Sequence, residues 1–129
     1  MEHREEHRRI FLQVNTPADI TKWIELLLTG KAGISPENVA LMKEMEVADT
    51  ERGVYGLGLS VDELGYGHNG AHLSYMSILR YNPATKTTVL IVASFFKIGV
   101  SPDETKADLS YLSSSLQKTA VRAVQLAKR

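Results

Sequence analysis

Leu73-Ser74-Tyr75-Met76-Ser77-Ile78-Leu79-Arg80-Tyr81, Asn82-Pro83-Ala84-Thr85-Lys86 and Thr87-Thr88-Val89-Leu90-Ile91-Val92-Ala93-Ser94-Phe95-Phe96 follow one another without a break. The first run reads as a strand. The middle five residues read as a turn, with Pro83 fixing φ at its second position. The last run is almost entirely β-branched and apolar, the pattern of a strand buried on both faces in the middle of a sheet. Two strands joined by so short a turn pair antiparallel.

Upstream, glycine alternates with apolar residues in Val54-Tyr55-Gly56-Leu57-Gly58-Leu59-Ser60-Val61, which reads as one strand with a nearly bare face. Gly65-Tyr66-Gly67-His68-Asn69-Gly70 is glycine-dense again, leaving room for another backbone or a ligand. Further back, Thr16-Pro17-Ala18-Asp19 supplies a cap, a proline for the first helical position and an acid near the positive end of the dipole. Ile20, Trp23, Ile24, Leu27 and Leu28 then form one helical stripe, and Gly30 is placed to stop it. Ser35-Pro36-Glu37 starts a second helix carrying Val39, Leu41, Met42 and Met45, expected to end before Asp49. Arg9–Val14 alternates as a short strand. Downstream, Ser101-Pro102-Asp103-Glu104 opens a long helix with a stripe at Leu109, Leu112, Leu116, Ala120, Ala123 and Val124, weakened by Ser113-Ser114-Ser115. This order predicts an α+β fold, an antiparallel sheet of three or more strands with helices packed on it.

The composition sets bounds. A chain of 129 residues, 43% of them hydrophobic, is long enough for one domain with a real core and too apolar to be disordered. We read residues 1–129 as a single domain, with 1–8 as a polar arm. Fifteen basic residues balance fifteen acidic ones, so no global charge draws the chain to nucleic acid or an anionic membrane. Without cysteine there is no disulfide, thiolate nucleophile or Cys-based zinc site. No apolar run approaches the ~20 residues of a transmembrane helix. Residues 1–9 show no signal peptide, which implies a cytoplasmic location if the chain is complete and leaves it open if it is a fragment.

His68-Asn69-Gly70 is the triplet with the most chemistry. Bare glycines let a substrate backbone lie beside a strand, and His68 can donate a hydrogen bond or a proton near neutral pH. A glycine-rich turn with an exposed histidine is the other reading. His68 and His72 are four apart, a metal-pair spacing on a helix, but this stretch reads as strand and turn and offers no third ligand. His3-Arg4-Glu5-Glu6-His7 matches an inverted zinc-protease pattern in a polar arm with no core to hold it, a coincidence. Neither a metal nor a cofactor is expected. Ser115-Leu116-Gln117-Lys118 matches Ser-x-x-Lys, but with 10 Ser and 8 Lys in 129 residues about 0.6 such matches arise by chance. The methionines and Trp23 read as helix-borne core, and Arg80 and Lys97 as strand-edge charges.

A series of short motifs resembles one family. They are Thr16-Pro17-Ala18-Asp19-Ile20, Gly30-Lys31, Ile34-Ser35-Pro36, Tyr55-Gly56-Leu57-Gly58-Leu59, Gly67-His68-Asn69-Gly70, Leu79-Arg80-Tyr81-Asn82-Pro83 and Thr88-Val89-Leu90-Ile91-Val92. In this order and spacing they resemble the C-terminal part of the serine β-lactamase-related hydrolases: D-Ala-D-Ala carboxypeptidases (penicillin-binding proteins), class C β-lactamases and related esterases. The resemblance covers about residues 15–125 and implies a partial β-lactamase/transpeptidase-like fold. It implies that His68-Asn69-Gly70 is the third active-site motif. His68 would be the cationic or proton-donor group, Asn69 would bind the substrate carboxylate, Gly70 would leave room, and the Ala71 N–H would be an oxyanion-hole donor.

The departures carry their own expectations. Leu73-Ser74 stands where the family usually has Pro-Gly, Ser94 where it usually has Asn, and Asn69 where it has Thr or Ser. In the family Ser-x-x-Lys and Tyr-x-Asn precede the third motif, and residues 1–67 contain neither. The chain is therefore expected to be a C-terminal portion, inactive alone toward a peptide or β-lactam. A non-catalytic binding or dimerising module is the alternative. The resemblance also implies that the strand matching Thr87–Phe96 lacks a neighbour. Arg9–Val14, or the same edge of a second copy in a homodimer, is expected to fill the gap.

Overall fold

The computed structural model describes residues 15–44, 46–49, 53–72, 75–94 and 101–128. The Arg9–Val14 strand, the His3–His7 pattern, the Leu73-Ser74 departure and Lys97 lie outside them.

Helix α1 (Pro17–Leu28) begins with a reciprocal cap. The Asp19 N–H donates to Thr16 Oγ1 at 3.1 Å, and the Thr16 N–H and hydroxyl donate to Asp19 Oδ2 at 3.1 and 2.7 Å. Two N–H groups that the helix leaves orphaned are thereby satisfied. At the other end Gly30 takes a left-handed φ and the Lys31 N–H returns to the Leu26 carbonyl at 2.7 Å. Ile24, Leu27 and Leu28 are buried, each worth about 1.5–3 kcal/mol. Trp23, expected in the core, is 49% exposed because it sits at the margin of the stripe. Helix α2 (Pro36–Lys43) starts at the expected Ser35 cap but stops before Met45, and β1 (Glu46–Asp49) follows instead of further helix.

The sheet has six antiparallel strands in sequence order: β1, β2 (Gly53–Tyr55), β3 (Ser60–Asp62), β4 (Gly65–His72), β5 (Tyr75–Asn82) and β6 (Thr87–Ala93). The expected α+β class is what the chain adopts. The single strand read over Val54–Val61 is instead the β2–β3 hairpin. Gly58, at φ 74, lets the chain reverse, and Leu57 at its tip is 65% exposed. Glycine-apolar alternation cannot tell a strand from a hairpin whose turn is itself glycine.

Residues directly opposite across an antiparallel pair share a face. Tyr66, Tyr81 and Leu79 lie on one face with Leu90, and this face meets Ile24, Leu27 and Leu28 of α1 and Leu59. Met76, Ile78 and Arg80, one residue out of phase, are buried on the other face. Helix α3 (Pro102–Ala127) packs against β5 and β6. It starts at the Ser101 cap as expected and runs through Ser113–Ser115 without interruption, but only Ala120 of its stripe is fully buried.

Two expectations for the decisive stretch are corrected. By composition alone Thr87–Phe96 reads as a central strand buried on both faces. β6 is an outermost strand among the described residues, ends at Ala93, and has no fully buried residue; Val92 is 55% exposed. Arg80 was to be a strand-edge charge. It is only 3% exposed, on a strand that is paired on both sides.

Candidate functional site

The His68-Asn69-Gly70 triplet sits in the outer half of β4. β3 pairs only with Gly65, Tyr66 and Gly67, whereas β5 pairs with Tyr66 to His72. From His68 onward the β3-side edge of β4 has no strand partner among the described residues. Every second residue of such an edge turns its N–H and C=O outward.

Strand alternation splits the motif. His68 and Gly70 lie on the α1 face, opposite Leu79 and Ser77. Asn69 and Ala71 lie on the other face, opposite Ile78 and Met76. His68, Asn69 and Ala71 are exposed and Gly70 is half-buried. A ligand lying on either face would meet only half of the motif. One lying along the open edge of β4 reaches all four residues.

The imidazole of His68 is held by a residue of the Tyr55–Leu59 motif to which the sequence reading gives no role at the site. Its Nε2 lies 2.7 Å from the Tyr55 hydroxyl, a hydrogen bond from β4 to β2. The two rings meet edge to face, centroids 5.8 Å apart and planes at 71°. Ser77 is the other unanticipated neighbour. Its Oγ lies 2.6 Å from where a side-chain carbon on Gly70 would stand, so the hydroxyl occupies the space that the glycine leaves free.

The inner half of β4 is structural. Across the bare face of Gly67, Arg80 of β5 reaches Asp62 of β3, Nε donating to Oδ2 at 2.8 Å. Asp62 Oδ1 accepts the Leu64 N–H at 2.8 Å, closing the β3–β4 turn. On the α1 face Lys43 lies over the Tyr66 ring, 5.5 Å from its centroid, and donates to the Leu28 carbonyl at 3.1 Å.

Two concavities among the described residues both lie away from His68. One, about 350 Å³, is an open groove between Glu63 and the Gln117–Gln125 stretch of α3. The other, about 230 Å³, lies between the end of α1 and α2. Among the described residues no group of three or more His, Cys, Asp or Glu side chains could hold a metal ion. His68 and His72 sit four residues apart on a strand, a backbone separation of about 13 Å.

Ser115 and Lys118 lie on α3, and Lys118 lines the groove beside Glu63, apart from His68. The sequence contains a second Ser-x-x-Lys match that the motif reading missed, Ser94-Phe95-Phe96-Lys97. Ser94 follows β6 and is exposed. Two matches against about 0.6 expected still carry no weight, and both follow the His68 strand.

No model of a known protein family matches the chain, and no curated protein does. Any assignment therefore rests on the residues and their geometry.

Proposed function

We propose that the chain supplies the third-motif strand of a β-lactamase-related serine hydrolase, of the D-Ala-D-Ala carboxypeptidase or β-lactamase type. His68 is the cationic or proton-donor group, Asn69 and Gly70 contact the substrate, and the Ala71 N–H serves the oxyanion. One observation supports this most: His68–Ala71 coincides with the stretch of β4 that outruns β3. An acyl donor that lies along a strand edge needs an open edge, a bare glycine and a proton-donating side chain together, and this is where the chain has all three. No Ser-x-x-Lys precedes the strand, so residues 1–129 alone form no acyl-enzyme.

A fluorescent penicillin should leave this chain unlabelled on a denaturing gel. Covalent labelling would mean that one of its serines is a working nucleophile and would overturn the proposed inactivity. Titration with a penicillin or a peptide ending in D-Ala-D-Ala, followed by amide NMR, should move the resonances of residues 68–71. If no resonance in 68–71 moves at millimolar ligand, the third-motif reading fails.

A second reading, a non-catalytic dimerising module, is favoured by the outer edge of β6. That edge has no strand partner among the described residues, and Val92 beside it is exposed. Solution mass distinguishes the two, since a stable homodimer supports the module and a monomer at high concentration removes it.

A further inference from the structure

We infer that Tyr55 is a positioning residue for His68: its hydroxyl donates to Nε2, places the ring proton on Nδ1, and makes Nδ1–H the donor that the site offers a ligand. As a statement about ligand presentation this rests on the role proposed above for His68. As a statement about the tautomer it rests on geometry alone.

The geometry fixes which nitrogen is occupied. At 2.7 Å from the Tyr55 hydroxyl, Nε2 is committed to this one bond, and Nδ1 is left for other partners. The direction of the bond follows from the two groups. A neutral imidazole carries one N–H donor and one lone-pair acceptor, and a phenol donates to the imidazole lone pair more strongly than it accepts from the N–H. The stronger arrangement is Tyr55 O–H to Nε2. The bond made at one ring nitrogen sets the state of the other, so the proton resides on Nδ1.

The surroundings hold the arrangement. The edge-to-face ring contact restrains both side chains, and Tyr55 is itself half-buried on the short strand β2. β2 pairs with β3 at Tyr55 opposite Ser60, and β3 pairs with β4 at Ser60 opposite Gly67, the residue before His68. Two ladders therefore set the Tyr55 backbone level with Gly67. That register puts the Tyr55 and His68 side chains on opposite faces, so it is the hydrogen bond and the ring contact themselves that join them. The consequence for function is a matter of charge. With Nδ1 protonated, His68 offers an N–H to an anionic oxygen in its neutral form as well as its charged form. In the neutral form the opposite tautomer would offer a lone pair and repel that oxygen.

The test is ¹⁵N NMR of the imidazole in the full chain above the histidine titration, in wild type and Tyr55→Phe. Phe keeps the ring contact and removes only the hydroxyl. In the wild type Nδ1 should resonate as the protonated, pyrrole-type nitrogen and Nε2 as the bare, pyridine-type one. In Tyr55→Phe the two shifts should move toward each other or exchange, with amide spectra otherwise unchanged. A wild-type His68 protonated on Nε2, or ¹⁵N shifts identical in the two proteins, overturns the proposal. Should Tyr55→Phe disturb the fold, the wild-type tautomer decides alone. No substrate enters this measurement, so failure of the hydrolase reading, tested by ligand titration, leaves its outcome distinct.

Discussion

Arg80 and Asp62 are joined across an intervening strand, 2.8 Å from Nε to Oδ2, by passing over a glycine. Arg80 stands opposite Gly67, and Asp62 stands opposite Gly65, on strands that both flank β4. A side chain at Gly67 would run into the backbone of Leu79 and Arg80. The arginine side chain is 4% exposed and the aspartate 26%. Removing the carboxylate leaves a buried cation, whereas removing the cation leaves a carboxylate that water and the Leu64 N–H still serve. Asp62→Ala is therefore expected to cost about 3 kcal/mol and Arg80→Met about 1 kcal/mol. Urea midpoints at constant m-value measure both, and equal costs would show that the pair does not bury its charge asymmetrically.

The glycines of β4 differ in what they guard. A methyl group on Gly67 would overlap the Leu79 carbonyl oxygen, which belongs to the sheet backbone and cannot turn aside. One on Gly70 would meet only the Ser77 hydroxyl, which can change rotamer. Gly67→Ala should cost about 2–3 kcal/mol, and Gly70→Ala under about 1 kcal/mol. If Gly70 is open for a ligand, Gly70→Ala should weaken the ligand-induced shifts at 68–71 while thermal stability stays close to wild type. Comparable destabilisation of both variants would mean that the bare surface at Gly70 is a packing requirement.

Much of the fold is legible because it is written locally. Thr16-Pro17, Ser35-Pro36 and Ser101-Pro102 mark helix starts that the structure keeps, since a cap and a proline act within one turn. Asn82-Pro83 turns β5 into β6 for the same reason. Position within the sheet is a non-local matter. The apolar run after Thr87 has the composition of a central strand, and composition alone does not reveal that β6 has no further neighbour among the described residues. Arg80 reads as an edge charge until Gly67 and Asp62, 13 and 18 positions back, are placed beside it. The His68–Tyr55 bond also spans 13 positions, and no spacing rule announces it. Ser77 stands opposite Gly70 through the β4–β5 register, a pairing that a strand read from Leu73 does not reveal.

Acid should loosen the first turns of α1 and α2 before the rest of the chain. The hydrogen bond from the Thr16 hydroxyl, and then that from its backbone N–H, holds the Asp19 carboxyl below its ordinary range. Glu37 is held below its ordinary range by its own backbone N–H and then by Ser35. For a carboxyl with a depressed folded-state value, the stabilisation is fully present above the unfolded value. It is lost as pH falls through the folded one. Both groups are exposed, so the effect is local. Carboxyl NMR titration should give values below those of unstructured peptides, and Thr16→Ala should return Asp19 toward them. A Thr16→Ala chain whose Asp19 titrates unchanged would remove the cap as the cause.

The outer edge of β6 makes a prediction about concentration. In a strand paired on one side only, alternate N–H groups point to the partner and the rest point outward. Residues 89–93 pair with Met76–Arg80 on the inner side. Only the inward-facing half of their amides should therefore resist hydrogen exchange if the outer edge is open. If Arg9–Val14 or a second copy covers it, as the resemblance leads one to expect, the outward half is protected too. The two occupants separate by dilution: protection given by the chain's own segment is independent of concentration, whereas that given by a second copy fades as the chain is diluted. Fast exchange of every second amide at all concentrations would leave the edge uncovered and would refute both. It would also mark β6, with Val92 exposed beside it, as the strand through which the chain aggregates.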